Sequence, residues 1–595
     1  MKTSCSIVLG AALLPACFPI FANESAENPH EFFVTATRTN QALSDVIGSI
    51  SSISREEIDA SGALDLHDLL RTQPGIDIVR SGPSGAQTSV FMRGTESDHV
   101  LVLVNGVRVN APTSGGAIWG EIPLDQVERI EVVRGPRSAQ FGSDAIGGVI
   151  QIFTRQAGAV SIALTAGSYA TREATVSAGY HSDLLAASVT ASQGQTDGFS
   201  ATNEGAGAFS FNADDDGREY KNASVNLEAT LSDNASIGSS WLYNQQDTEI
   251  DQTGEQLGRS RQLGLWAEFS NNRNADIRLQ TSRLQQEIAD IVASRSQAGI
   301  QTNLNLGQAI LFSLGYEFSQ DAGVDPGDYE EQSDLRSLYL QQQFTGDFLD
   351  VVLAARRDTH SRFGSNNTAS LSLGGWVGDH RVFASYGTGF RAPNLTDLFH
   401  PGFNCGAPCF GGNPNLKPEK SRSAEVGLDA LLSSEISLQF ALFTTEIENL
   451  IVGAFSGAQN VDESDIQGAE LSFRSAYQAW TFNASATWQQ ARKANGDQLL
   501  RRPDRKASVR LQRTWSKVNA ALEVIAASQH RDFVGSAEGD VAGYALVNLR
   551  ANYQASKQLA LNLSGENLGD VFYQTAFGFN NPGRSGYLTI KWTAL

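Results

Sequence analysis

The sequence predicts an exported all-β membrane protein: a transmembrane antiparallel β-barrel preceded by a compact mixed α/β domain. Three observations carry this. Lys2 precedes an apolar stretch from Ile7 to Phe21 with the small Ala22 after it, the layout of a secretory signal peptide. From about residue 156 onward, period-2 alternation dominates. Between the alternating segments lie long polar stretches, such as 197–222, 244–262 and 400–420. Strands with one apolar and one polar face, joined by short turns on one side and long loops on the other, describe a membrane barrel.

The leader comes first along the chain. Cleavage after Ala22 removes Lys2, Cys5 and Cys17 and takes the formal net charge from −21 to about −22. Lipid attachment at Cys17, after Leu14-Pro15-Ala16, is the alternative, and either route exports the chain. Such acidity argues against a nucleic-acid partner and suits cation binding. A mean hydropathy of −0.23 does not exclude a barrel, whose strands average apolar and polar faces. A bundle of spanning helices is excluded, because no later apolar run approaches the ~20 residues that a helix needs.

Residues 42–155 read as the compact domain. Ser54-Arg55-Glu56-Glu57 forms a capping box ahead of Ile58. Asp65 caps a second helix with Leu66, Leu69 and Leu70 on one face, which Pro74-Gly75 stops. Val100 to Val104, then Asn105-Gly106, then Val107-Arg108-Val109 is a strong hairpin signal. Val132-Val133 and Val149 to Ile152 supply further strands.

In residues 156–595, Val547, Leu549, Ala551 and Tyr553 alternate with Asn548, Arg550 and Asn552. Leu559, Leu561 and Leu563 alternate with Ala560, Asn562 and Ser564, and Leu588, Ile590 and Trp592 with Thr589 and Lys591. A soluble propeller would need a repeat of fixed length, and none is present. No zinc-protease, P-loop or serine-hydrolase motif occurs, so the sequence predicts no enzyme. The mature chain keeps two cysteines, Cys405 and Cys409, expected to close a small disulfide loop in an oxidising compartment.

Glu31-Phe32-Phe33-Val34-Thr35-Ala36, within a segment 23–41, resembles a TonB box. Leu69-Leu70-Arg71-Thr72-Gln73-Pro74-Gly75, Phe91-Met92-Arg93-Gly94-Thr95, Arg134-Gly135-Pro136-Arg137-Ser138 and Gly142 through Gly148 resemble plug-domain motifs. Phe390-Arg391-Ala392-Pro393-Asn394-Leu395, Asn413 through Glu419 and the ending from Glu566-Asn567-Leu568 to Trp592 resemble barrel motifs. With these, the whole mature chain resembles the TonB-dependent outer-membrane receptors. The resemblance implies a 22-stranded barrel occluded by an N-terminal plug. The roughly 440 residues after position 155 allow about 20 for each strand with its connection. It also implies energy coupling through TonB, a lipid surround in the outer membrane, a periplasmic binding protein downstream and a monomeric chain. Trp592 is expected to end the last strand.

Within that family, Arg93 through Gly148 and Asn212 to Gly217 are most similar to cobalamin (vitamin B12) receptors. The resemblance implies structural calcium, with Asn212, Asp214, Asp216 and Asp251 as ligands. Ser200 stands where a carboxylate is usual, and Asp197, Asp247 or Glu255 are candidates to compensate. Substrate-contact positions fall on Gln87, Ser89, Glu96, Ser114, Gly115 and Arg501. Haem is the main rival substrate, because His400 lies between the two barrel motifs; a ferric siderophore is the third option, and a passive porin is disfavoured by the plug.

Overall fold

The computed structural model describes residues 33–34, 38–39 and 41–594, apart from 157, 207–210, 252–253, 272–273, 308, 405–407, 410, 454–455 and 535–536. The leader 1–22, most of the 31–36 segment and Cys405 lie outside the described residues, and of Phe33, Val34 and Cys409 only the backbone is described.

Twenty-two antiparallel strands close into one barrel. The first, Ser161–Gly167, pairs with the last, Ser585–Thr593, so that Thr165 faces Thr589. That last strand runs one residue past Trp592, and Thr593 pairs with Ser161. The alternation seen in the sequence sorts the two faces. Leu227, Leu263, Leu340 and Leu549 point outward and are exposed in the isolated chain, whereas Thr190, Ser240, Asn548 and Arg550 are buried inside. An outward apolar band with a polar interior is what a lipid surround selects.

The wall is uneven. Gly254–Asn271 has 18 residues and Gln459–Tyr477 has 19, but Leu559–Glu566 has only 8. At ~3.3 Å per residue and a tilt near 40°, an 18-residue strand rises about 45 Å, well above the ~25 Å apolar band. This corrects the reading of two polar stretches as loops. Residues 244–250 and 254–262 are strand, and 197–222 ends in the strand Asp216–Ser232. Above the bilayer both faces of a strand meet water, so the period-2 signal fades while the hydrogen-bond ladder continues.

Inside the barrel lies the plug. Its sheet runs Ile50–Ile53, Val127–Arg134, Gly148–Thr154, Val100–Val104, Val107–Arg108, with one parallel pair between 100–104 and 148–152. Both predicted helices form. Ser54 caps Arg55–Ser61 through a capping box with Glu57, and Asp65 caps Leu66–Leu70 by accepting from the Asp68 N–H. Ile58, Leu66, Leu69 and Leu70 are buried against Val102, Ile130 and Ile150. The Asn105-Gly106 turn takes φ of 50° and 80°, the left-handed pair that a two-residue hairpin turn needs.

The plug meets the wall through polar contacts and through small apolar ones, where Ile146 packs with Phe443, Ile447 and Ile466, and Ile47 with Val352 and Phe383. Asn105 donates to Ser240 at 2.7 Å, Gln262 donates to the Val104 carbonyl at 3.0 Å, and Thr487 accepts from the Gly75 N–H at 2.8 Å. The densest contact is a buried ion cage. Arg93 donates to both oxygens of Glu470, at 2.9 and 2.8 Å, and to Glu425 at 2.7 Å. Arg134 lies 3.2 Å from Glu470, and Ser49 donates to Glu425 at 2.6 Å. Arg93 itself has φ of 52°, a left-handed position followed by Gly94.

Candidate functional site

Short connections close one end of the barrel, and the longer ones at the other end mark the extracellular face. Three apices of the plug point toward that face, each against a different barrel segment. Gly82, at φ +125°, tops the hairpin formed by Ile76–Arg80 and Thr88–Met92, and a Cβ there would stand 2.8 Å from the Ala201 Cβ. Gln87, exposed, immediately precedes the descending strand, and Ser89, half-buried, lies on it. The second apex carries Glu96, whose carboxylate pairs with Arg502 at 2.7 Å. The third carries the exposed Ser114 and the half-buried Gly115, the latter beside Asn394 and Arg391. Arg501 sits on the barrel connection next to Arg502, at φ +67°, bonded to Asp532 at 3.0 Å.

The six predicted contact residues therefore share one end of the molecule but divide among three apices and a loop. Arg502 and Arg391 were not anticipated as site residues. Arg502 also donates to the Gly94 and Thr95 carbonyls, both at 3.2 Å. Arg391 gathers Asp98 of the plug, Asp397 of the loop and Glu419 of the wall, and His99 meets the same Glu419 at 2.9 Å. The Phe390-Arg391 motif marked the position in sequence without revealing its partners.

The acidic run folds into a tight group. Carboxylate oxygens of Asp214, Asp216 and Asp251 all lie within 4.8 Å of one another. Burial, with Asp251, Asp214 and Glu249 beside it, pushes the Asp216 carboxyl up to about 6. Asp216 accepts from the Ala201 N–H at 2.6 Å, which links the group to the residue touching Gly82. One oxygen of Asp251 is buried with no hydrogen-bond partner, an arrangement that fits a hard cation.

Asn212 is exposed, and its carbonyl accepts from Ser200 at 2.8 Å, so Ser200 braces the loop from the position of the usual carboxylate. Asp197, Asp247 and Glu255 are not in the group. The nearby carboxylate is instead Glu249, which accepts from the Gly217 N–H at 2.6 Å.

A family model described as TonB-dependent receptor-like β-barrel matches residues 166–568, and one for the TonB-dependent receptor plug domain matches residues 42–149. The chain belongs to the TonB-dependent receptors. This receptor is 30% identical over 644 aligned positions to the vitamin B12 transporter BtuB of Vibrio vulnificus, covering 99% of both chains. It is also 30% identical to the vitamin B12 transporter BtuB of Photobacterium profundum, over 98% of this chain and 99% of the relative. A ferric enterobactin receptor of Pseudomonas aeruginosa superposes with a TM-score of 0.79 at 18% identity, over 92% of this receptor and 100% of that chain. The siderophore receptor PirA of Acinetobacter baumannii gives 0.79 at 18%, over 92% and 98%. At that identity the solved structures share the fold. As a TonB-dependent receptor of 22 strands, the protein resides in the outer membrane.

At the periplasmic end, Phe33–Val34 pairs with Gln41–Ala42, and the other edge of this two-stranded piece has no strand partner among the described residues. Just downstream, Arg38 lies 2.5 Å from Glu317 and stacks over Tyr339 at 4.5 Å, while Gln301 donates to its carbonyl at 3.0 Å. Arg38 thus anchors the segment to the inner wall.

At the opposite end, Phe403 pairs with Cys409 across a short hairpin in the loop that also holds His400. Mass spectrometry of unreduced protein isolated from the outer membrane is expected to find Cys405 joined to Cys409; two free thiols there would refute the pairing. The bond closes only a few residues, so its loss is expected to loosen the loop and leave barrel stability nearly unchanged.

Proposed function

We propose that this receptor carries cobalamin across the outer membrane by TonB-dependent active transport, with calcium held by Asp214, Asp216 and Asp251. The observation that carries the substrate reading is the full-length 30% identity to two proteins named as vitamin B12 transporters. The acidic group at the roof of the plug hairpin supports it.

Substrate binds on the plug apices at Gln87, Ser89, Glu96, Ser114 and Gly115, with Arg501 reaching in from the wall. Those apices share bonds with barrel loops through Arg391 and Arg502, so occupancy biases the plug against its anchors. The TonB-box segment then leaves its contacts near Arg38 and offers its edge to TonB by strand addition. Force from the inner membrane displaces the plug, and the protein breaks no covalent bond. Calcium supplies a charge that joins the 212–216 loop to Asp251. Loops joined in advance leave less ordering for the substrate to drive.

Titration of the purified receptor with cyanocobalamin, in calcium and in chelator, tests both parts. Chelator is expected to weaken wild-type affinity about tenfold, equivalent to roughly 1.4 kcal/mol of ordering. The Asp214→Asn, Asp216→Asn double variant is expected to keep calcium-free affinity and lose the response to calcium. No cyanocobalamin binding, with tight binding of haem or a ferric siderophore instead, would overturn the substrate. Wild-type affinity indifferent to chelator would overturn the calcium role alone.

A further inference from the structure

The outer wall holds a feature that transport does not use. On four neighbouring strands, Asp216–Ser232, Ala235–Ile250, Gly254–Asn271 and Ala275–Ile288, outward positions change from apolar to cationic at one height. Lys221 stands above the outward run Ala223, Val225, Leu227. Arg259 and Arg261 stand above Leu263 and Leu265, and Arg283 stands above Leu279 and Ile277.

Register places these cations together. Gln245 pairs with both Lys221 and Arg259, which sets those two about 10 Å apart across two strand spacings. Arg261 pairs with Gln285 and Leu263 with Arg283, so the two arginines are diagonal neighbours about 7–8 Å apart. Among them stand Trp241 and Tyr243, stacked with ring centres 6.2 Å apart, and Tyr243 donates to Gln245 at 2.8 Å. Aromatics of this kind mark the boundary between the apolar band and the headgroups.

The cations are poorly neutralised. Lys221, Arg261 and Arg283 are exposed, with no ion-pair partner among the described residues, and Arg259 has only Glu287 at 3.9 Å. Such a patch stands out on a chain with a net charge of −21. One position higher on the same outward face, Glu219 and Asp247 are paired across the strands. A soluble acidic partner approaching from above would meet those carboxylates first. An anion lying in the membrane plane would not.

We propose that this face docks a lipid of the outer leaflet that bears phosphate on its headgroup. Arg261 and Arg283 hold one phosphate from the wall side, Lys221 and Arg259 reach a second, and the acyl chains lie along the leucines below. Planar guanidinium forks suit phosphate oxygens better than a single ammonium does. The aromatic pair sets the depth of the headgroup. Nothing in this depends on which substrate the receptor carries.

The test uses the full receptor in detergent micelles, titrated with a bisphosphorylated glycolipid and with its dephosphorylated form and read by native mass spectrometry. The phosphorylated lipid is expected to be retained roughly tenfold or more over the dephosphorylated one. Arg261→Gln with Arg283→Gln is expected to erase that preference, and Arg261→Lys with Arg283→Lys to restore part of it. Arg422→Gln, at an exposed arginine already paired with Glu446 and Glu448, is expected to leave the preference intact. Equal retention of both lipids by the wild type, or full retention by the glutamine variant, would overturn the proposal. So would displacement of the lipid by millimolar inorganic phosphate, which would reduce the patch to a general anion site.

Discussion

Val34→Pro is expected to abolish energised uptake and leave substrate binding at the wild-type level. Val34 pairs with Gln41 at the periplasmic end, on a two-stranded piece whose outer edge has no strand partner among the described residues. Adding a strand there requires an unbroken row of backbone donors, and proline removes one while locking φ. The apices proposed to bind substrate lie at the opposite end of the barrel, so affinity should not change. The competing account is that residues 31–36 merely begin the plug. Uptake of labelled substrate by cells, measured beside binding by the purified variant, separates the two. Wild-type uptake in the proline variant would end the coupling role of this segment.

Glu470→Ala is expected to loosen the plug at a cost of about 3–5 kcal/mol, because it leaves buried arginine charge uncompensated. Glu470 takes two bonds from Arg93 and faces Arg134, all three almost fully buried. Glu425 alone would then answer both guanidiniums. Amide exchange in the plug strands should rise, and cells should become sensitive to antibiotics too large for porins. Glu470→Gln, which keeps the shape and one of the two acceptor oxygens but not the charge, should fall between wild type and alanine. Unchanged plug exchange in the alanine variant would show that the cage contributes little to holding the plug.

Local signals carried most of the fold. The capping box at Ser54, the Asp65 cap and the Asn105-Gly106 turn depend on residues a few positions apart, and each forms as expected. The alternation around Leu549 and Leu563 reports a lipid face directly. What sequence did not show are pairings across hundreds of residues. Pro74-Gly75 reads as a helix stop, yet a Cβ at Gly75 would fall 2.0 Å from a Glu470 oxygen, so this glycine also makes room for the cage. Arg391 reads as part of a motif, but its three carboxylates come from the plug, a loop and another strand. In the acidic group, Asp214, Asp216 and Asp251 were legible through resemblance. Glu249 was not, because its approach depends on strand register, which a one-residue slip would reverse.

The contacts between plug and wall have a mechanical consequence. Asn105 on Ser240, Gln262 on the Val104 carbonyl and Thr487 on the Gly75 amide are bonds that water can replace one for one. The apolar parts of the seam, such as Ile146 beside Ile466 and Ile47 beside Phe383, behave otherwise, since parting them exposes dry surface at about 25 cal/mol for every Å². Once the ion cage around Arg93 and these small apolar contacts have parted, the wettable remainder of the seam can be drawn aside, flooded as it moves, and reseated when the tension drops. The lubricant is the solvent itself, and the same chemistry that keeps the gate shut at rest makes its opening reversible.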